Sequence, residues 1–256
     1  MLDPYFTSDG DHYHATSACS GPWDPGSLHG AVVVALLAYE VEKLFDTDVY
    51  MPARMTTDMY RLPRFDPIKV KTTVVRDGYR IKVVDAEFFS ADQSMARATC
   101  QLLRKTENSP IKAWSPDNWD VPDPELMDAA PDPKGRLGKH RRAIKGGIGT
   151  FGPKQTWLAE QRCLVDDEPL SPWMRAALIA DYTNPFANSG DGGLGYINSD
   201  VTQYLHRLPV DEWIGLEVVN HQASDGVALG ECRIYDRKGS IGISAVTSLA
   251  QKKRAD

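Results

Sequence analysis

The chain has 256 residues, 42% hydrophobic and 25% charged, an ordinary globular mix with enough apolar material for one large core or two small ones. A formal net charge of −6 argues against a nucleic-acid binder, and Cys19, Cys100, Cys163 and Cys232 show no metal-ligand spacing. No charged-then-apolar leader opens the chain and no apolar run is long enough to span a bilayer, so a reducing cytoplasm is the expected location.

Residues 12–23 predict a first strand broken by Gly21-Pro22, and Asp24-Pro-Gly-Ser27 predicts a turn and a helix N-cap. From Leu28 to Leu44 the chain is apolar until its last turn. That length predicts a helix, and the lack of a polar face before Glu40 predicts burial on most sides. Strands are predicted at 52–62, 67–76, 80–90 and 94–105, with Asp77-Gly78 as a hairpin signal. Residues 106–152, rich in Pro, Asp, Gly and Lys, read as a linker whose Trp114 and Trp119 pack in part on the surface. Within it the basic run Lys134, Arg136, Lys139, Arg141, Arg142 and Lys145 reads as a solvated loop, with phosphate binding by Arg141 and Arg142 as the functional alternative. A strand at 155–165, a helix from Pro169 to Tyr182 and a loop from Asn184 to Gly193 follow. Four more strands are predicted at 196–207, 213–222, 226–236 and 240–252.

The second set of elements repeats the first. Arg-Leu-Pro occurs at 61–63 and at 207–209, a spacing of 146 residues, and the same offset pairs Phe89 with Tyr235 and Gln101 with Thr247. Asp58 and Asp200 read as equivalent places in the two copies, which favours a structural role for both. The domains expected are 1–105 and 153–256, joined by 106–152. One helix per copy cannot cover both faces of a sheet. A sheet wrapped around its helix removes that difficulty, and two such sheets can join edge to edge.

The ordered segments Leu28-His-Gly-Ala-Val-Val, Ala180-Asp-Tyr, Asn198-Ser-Asp-Val-Thr-Gln-Tyr-Leu-His-Arg207, Asp211-Glu-Trp213, Gly230-Glu231 and Tyr235-Asp-Arg-Lys-Gly239, leading into Ser244-Ala-Val-Thr247, carry a resemblance. Together they resemble the acyl-CoA thioesterase II (TesB-like) family of the double hotdog superfamily, over most of the chain outside the linker. The resemblance implies an α+β fold, with two antiparallel sheets each wrapped around one long apolar helix. It implies an acyl-CoA substrate and no metal or organic cofactor, and it leaves homo-oligomerisation open. It also implies a water held by an Asp on the second helix, a Thr or Ser near the start of the next strand, and a Gln on the last strand. Carried over, these are Asp181, Asn198 and Thr247, the last two departing from the family pattern while keeping hydrogen-bonding capacity.

Taken residue by residue, Asp181 ends an apolar helix, where partial desolvation would strengthen it as a base; the bland alternative is a carboxylate bonded to loop amides. His29-Gly30 sit in a first helical turn, where unpaired N–H groups suit a polarised carbonyl and glycine permits close approach. His12 and His14 alternate on a strand with nothing nearby to complete a metal set. An acyl-CoA hydratase is disfavoured, since no Asp-x-x-x-x-His pairing stands at Asp181. A non-catalytic acyl-CoA binder stays open.

Overall fold

The computed structural model describes residues 2–24, 26–130 and 139–251. It opens with a hairpin, β1 (Phe6–Asp9) and β2 (His12–Ala15), and not with one strand running to residue 23. The strand stops because Thr16 caps a single 3-10 turn at Ser17–Cys19, its hydroxyl accepting from the Ala18 N–H; short hydroxyl side chains offer the backbone this local alternative.

Helix α1 (Gly30–Glu42) has His29 at its N-cap and no side-chain cap bond. Val32, Ala35, Leu36, Leu37 and Ala38 are fully buried. Each buried Val or Leu contributes about 1.5–3 kcal/mol relative to exposure, so core packing and not capping holds this helix. Strands β3 (Tyr50–Met59), β4 (Ile68–Asp77), β5 (Ile81–Ser90) and β6 (Gln93–Arg104) follow and wrap around it.

The span read as a linker is more structured than its composition suggests. Its last part is an edge strand, β7 (Lys139–Lys145), paired with β8 (Gln155–Glu160), so the basic run lies partly in a sheet. Lysine and arginine on an edge strand discourage pairing with another chain. Lys134 and Arg136 lie outside the described residues. Farther upstream, Trp119 stacks on Tyr235 with ring centres 4.5 Å apart and touches Trp157 at 5.1 Å, while Trp114 remains 88% exposed. The Trp157 and Trp213 indoles donate to Pro122 O and Glu125 Oε1, at 3.1 and 2.9 Å. The segment is thus fastened to the outer face of the second half.

Helix α2 (Pro172–Ala180) begins where Ser171 caps the Met174 N–H at 3.1 Å and Pro172 pre-sets the first turn. The same hydroxyl donates to the Glu42 carboxylate, tying the start of α2 to the end of α1. The expected 184–193 loop is instead a short helix, α3 (Thr183–Ala187), then a small hairpin of β9 (Ser189–Gly190) and β10 (Gly193–Leu194). The strand expected at 196–207 is split at Ser199 into β11 (Tyr196–Asn198) and β12 (Asp200–Leu205). Strands β13 (Trp213–Ser224), β14 (Val227–Asp236) and β15 (Gly239–Ala250) complete the chain.

Among the described residues thirteen strands form one sheet, ordered β1-β2-β4-β5-β6-β3-β12-β15-β14-β13-β8-β7, with β11 also on β15. Each pairing is antiparallel, and α1 packs on α2 inside the curve. The architecture is the double hotdog that the resemblance implies. Its two halves join through β3 and β12. The register places Thr56 opposite Thr202, and their hydroxyls meet at 3.2 Å. These residues are 146 apart, the offset of the repeat, so the local twofold axis passes through that pair. The same register corrects the reading of Asp58 and Asp200. They are direct cross-strand neighbours at the join, not equivalent positions of the two copies.

Candidate active site

Asp181 is the C-cap of α2, still in helical geometry, and its carbonyl accepts the Asn184 N–H at 3.2 Å as the chain turns into α3. The turn brings its carboxylate against the start of α1. A Cβ on Gly30 would lie 2.7 Å from Asp181 Oδ1 and 2.9 Å from Oδ2. Glycine is therefore required there for close approach, as expected, but the group that approaches is a carboxylate of the protein itself. Asn198, the last residue of β11, donates from Nδ2 to Asp181 Oδ1 at 2.8 Å and to Asp200 O at 3.2 Å.

His29, Gly30, Asp181 and Asn198 all line one cavity of about 660 Å³ between the two halves, together with Tyr5, Trp23, Arg162, Tyr182 and Asn184. A second hollow of about 210 Å³, walled by Leu28, Val33, Met59, Ala96 and Leu249, shares Trp23, Gly30 and Asn198 with the first. The His29 ring meets Tyr5 edge-on at 5.6 Å. Tyr5 donates to Glu160 Oε2 at 2.9 Å, and burial, reinforced by that carboxylate, pushes its phenol far above the ordinary value. It is a neutral donor at any physiological pH. At the first turn of α1, His29 N–H is taken by Cys19 O, whereas helix geometry leaves the Gly30 and Ala31 N–H groups without partners inside the helix.

Thr247 is not brought to this cavity. It is exposed on the outer face of β15, where its backbone and hydroxyl both bond Asp200 Oδ1 and its hydroxyl meets Ser199 Oγ at 3.2 Å. The reason is strand alternation: a one-residue step reverses the face. Ser248, directly opposite Asn198, is the inward residue. Its hydroxyl donates to Asn184 Oδ1 at 3.0 Å and accepts from Asn188 Nδ2 at 2.9 Å. Thr247→Ala should therefore leave hydrolysis within about twofold of wild type, whereas Ser248→Ala should cost about 1–3 kcal/mol of stability by removing one hydrogen bond from each of two buried amides, which stay bonded to one another. Urea denaturation beside a rate measurement checks both.

The two arginines of the basic run part company because they alternate on β7. Arg142 leaves the site: its guanidinium lies 5.0 Å over the Trp213 ring and its Nε donates to Pro124 O at 3.2 Å. Arg141 points the other way, to the Tyr182 hydroxyl. Burial raises that phenol while the adjacent guanidinium opposes the shift. Asn184 and Arg162 went unnoticed in the sequence. Pro185 was the available signal for Asn184, since the first turn of a helix tolerates proline, and α3 keeps residue 184 about one turn beyond Asp181. No local pattern marks Arg162. Among the described residues, no group of three or more His, Cys, Asp or Glu could hold a metal ion, and no helix is long and apolar enough to cross a membrane.

A family model described as the acyl-CoA thioesterase N-terminal domain matches residues 19–103, and one described as the acyl-CoA thioesterase C-terminal domain matches residues 115–249. Among curated proteins none matches the chain significantly by sequence. Solved structures do match. The tesB protein of Mycobacterium avium subspecies paratuberculosis is 14% identical, with a TM-score of 0.71 over 96% of both chains. A conserved hot dog-fold protein from Alicyclobacillus acidocaldarius is 15% identical, with a TM-score of 0.73 over 97% of this chain and 96% of its own. The acyl-CoA thioesterase II TesB2 of Mycobacterium marinum is 13% identical, with a TM-score of 0.66 over 96% and 95%. At these identities the structural likeness shows the fold alone, while the two domain models span both halves. The chain belongs to the acyl-CoA thioesterase family and is a thioester hydrolase.

Proposed function

We propose that the protein hydrolyses a fatty acyl-CoA thioester, with Asp181 activating the attacking water. The observation that carries the reading is the convergence of Asp181, Asn198 and Gly30, from two halves of the chain, on one cavity. Asp181 takes a proton from water as the water oxygen bonds to the thioester carbon. The carbonyl oxygen becomes an oxyanion, stabilised by the first-turn amides of α1. Collapse of that intermediate breaks the C–S bond, and the departing thiolate recovers the proton from Asp181. Asn198 holds the carboxylate in place through its 2.8 Å bond and is anchored in turn by Asp200 O.

The test is release of free thiol from a panel of acyl-CoA esters, followed with a thiol reagent. Hydrolysis of at least one member is expected. A wild-type protein that binds acyl-CoA without releasing thiol would replace this reading with a binding role. Asn198→Ala should lower kcat about tenfold, since the carboxylate loses one of its orienting contacts but remains the base. An unchanged kcat would remove Asn198 from the reaction.

A further inference from the structure

The larger cavity carries a charge that the hydrolytic step does not use. Arg162 lies two residues beyond the end of β8 and lines the cavity. One terminal nitrogen of its guanidinium donates to the Asp3 carbonyl at 2.8 Å. Its Nε is buried and has no acceptor. The neighbouring Glu160 carboxylate is engaged by the Tyr5 hydroxyl and by the backbone N–H groups of Gln161 and Arg162. Arg162 thus brings a permanent positive charge to the wall of a cavity that Asp3 and Asp181 also line. A planar guanidinium is suited to carboxylate and phosphate oxygens.

The two hollows differ in chemistry, and this bears on what reaches Arg162. The smaller is lined mainly by apolar side chains, with Tyr60, Arg61 and Ser199 among them, and the larger is more polar, with Asp3, Ser17, Ser20, Arg162 and Asn184; they meet at Trp23, Gly30 and Asn198. A thioester reacting at that junction has one arm in each. Its apolar arm gains by entering the smaller hollow, and its polar arm is left beside Arg162.

We propose that Arg162 is an anion-binding residue of the substrate site, taking an oxyanion of the thioester's polar arm. The inference rests on the hydrolytic reading above. Two sources share that chemistry: a phosphate of the carrier, or a carboxylate on the acyl group. Three probes separate them. Butyryl-CoA carries phosphates only, succinyl-CoA carries phosphates and a carboxylate, and S-butyryl-N-acetylcysteamine carries neither. Kinetics of wild type, Arg162→Gln and Arg162→Lys are compared on all three, with a thermal melt as the check on folding.

If the anion is a phosphate, Arg162→Gln raises KM about ten- to a hundredfold for both CoA esters and leaves the N-acetylcysteamine ester unmoved. If it is a carboxylate, only succinyl-CoA shows the rise. Arg162→Lys recovers part of the loss in either case, because a point charge remains. Equal KM in wild type and Arg162→Gln for all three probes overturns the proposal. So does an equal loss on all three, which marks a structural role. A wild type that hydrolyses none of these short esters leaves the hydrolytic reading to the wider acyl-CoA panel above. Calorimetric titration with the two CoA esters then decides: weaker binding to Arg162→Gln keeps the anion site, and equal or absent binding ends it.

Discussion

Asp181→Asn is expected to lower thioester hydrolysis by about 10²–10⁴-fold, the usual contribution of a positioned general base, in a protein that folds as well as wild type. The substitution keeps shape and volume. The new carboxamide oxygen can still accept the Asn198 Nδ2–H at the place of the present 2.8 Å bond, while the negative charge and the capacity to take a proton from water are lost. Loss should appear in kcat with little change in KM, since the base acts on water and not on the bound ester. Circular dichroism and a thermal melt exclude unfolding. A folded Asp181→Asn protein with wild-type kcat would end the role given to this carboxylate.

Gly30→Ala tests the same site from the opposite wall. The added methyl would stand 2.7 Å and 2.9 Å from the two carboxylate oxygens, too close for any real contact, so something must move. The carboxylate is the far end of a side chain, though held by Asn198, and yields more cheaply than helix backbone. Gly30 is the first residue of α1, so the helix-interior preference for alanine acts there only in part, and stability should change little. Activity should fall about 10²-fold, the scale on which a displacement near 1 Å acts on a reacting group. The double variant Gly30→Ala, Asp181→Asn should be no slower than Asp181→Asn alone, because both act through one carboxylate. Additive losses would mean that Gly30 contributes by another route, and full activity of Gly30→Ala would dismiss the steric argument.

Much of this fold was legible in the chain. The 146-residue repeat proved to be the spacing of Thr56 and Thr202 across the central join, and the apolar run after Leu28 is the buried helix α1. Such features survive in sequence because periodicity and burial act on long segments, where many residues report the same face. Elements were lost where a short-range signal decided them. Thr16 ended a strand by capping a 3-10 turn, Asn184-Pro185 lay inside a short helix and not in a loop, and β7 was hidden by its lysines and arginines. An edge strand need bury only one face and so can be as polar as a linker.

The sequence, with the family resemblance it carries, pointed to two copies of a strand-rich unit around apolar helices, and to Asp181, Asn198, Thr247, His29, Gly30, Arg141 and Arg142 as the residues to follow. Only the tertiary structure decided which of these, and which other polar residues, come together. Thr247 and Ser248 are neighbours in the chain, yet the pleat sends one hydroxyl to the outer surface and the other to Asn184 and Asn188. Arg141 and Arg142 part in the same way, toward Tyr182 and toward Trp213. Arg162 reaches the cavity from a position with no local mark at all. The physical reason is shared by all three cases. Facing in a strand alternates every residue, so one step of register separates a cavity wall from the outer surface, and that register is set by pairing with strands far away in the chain.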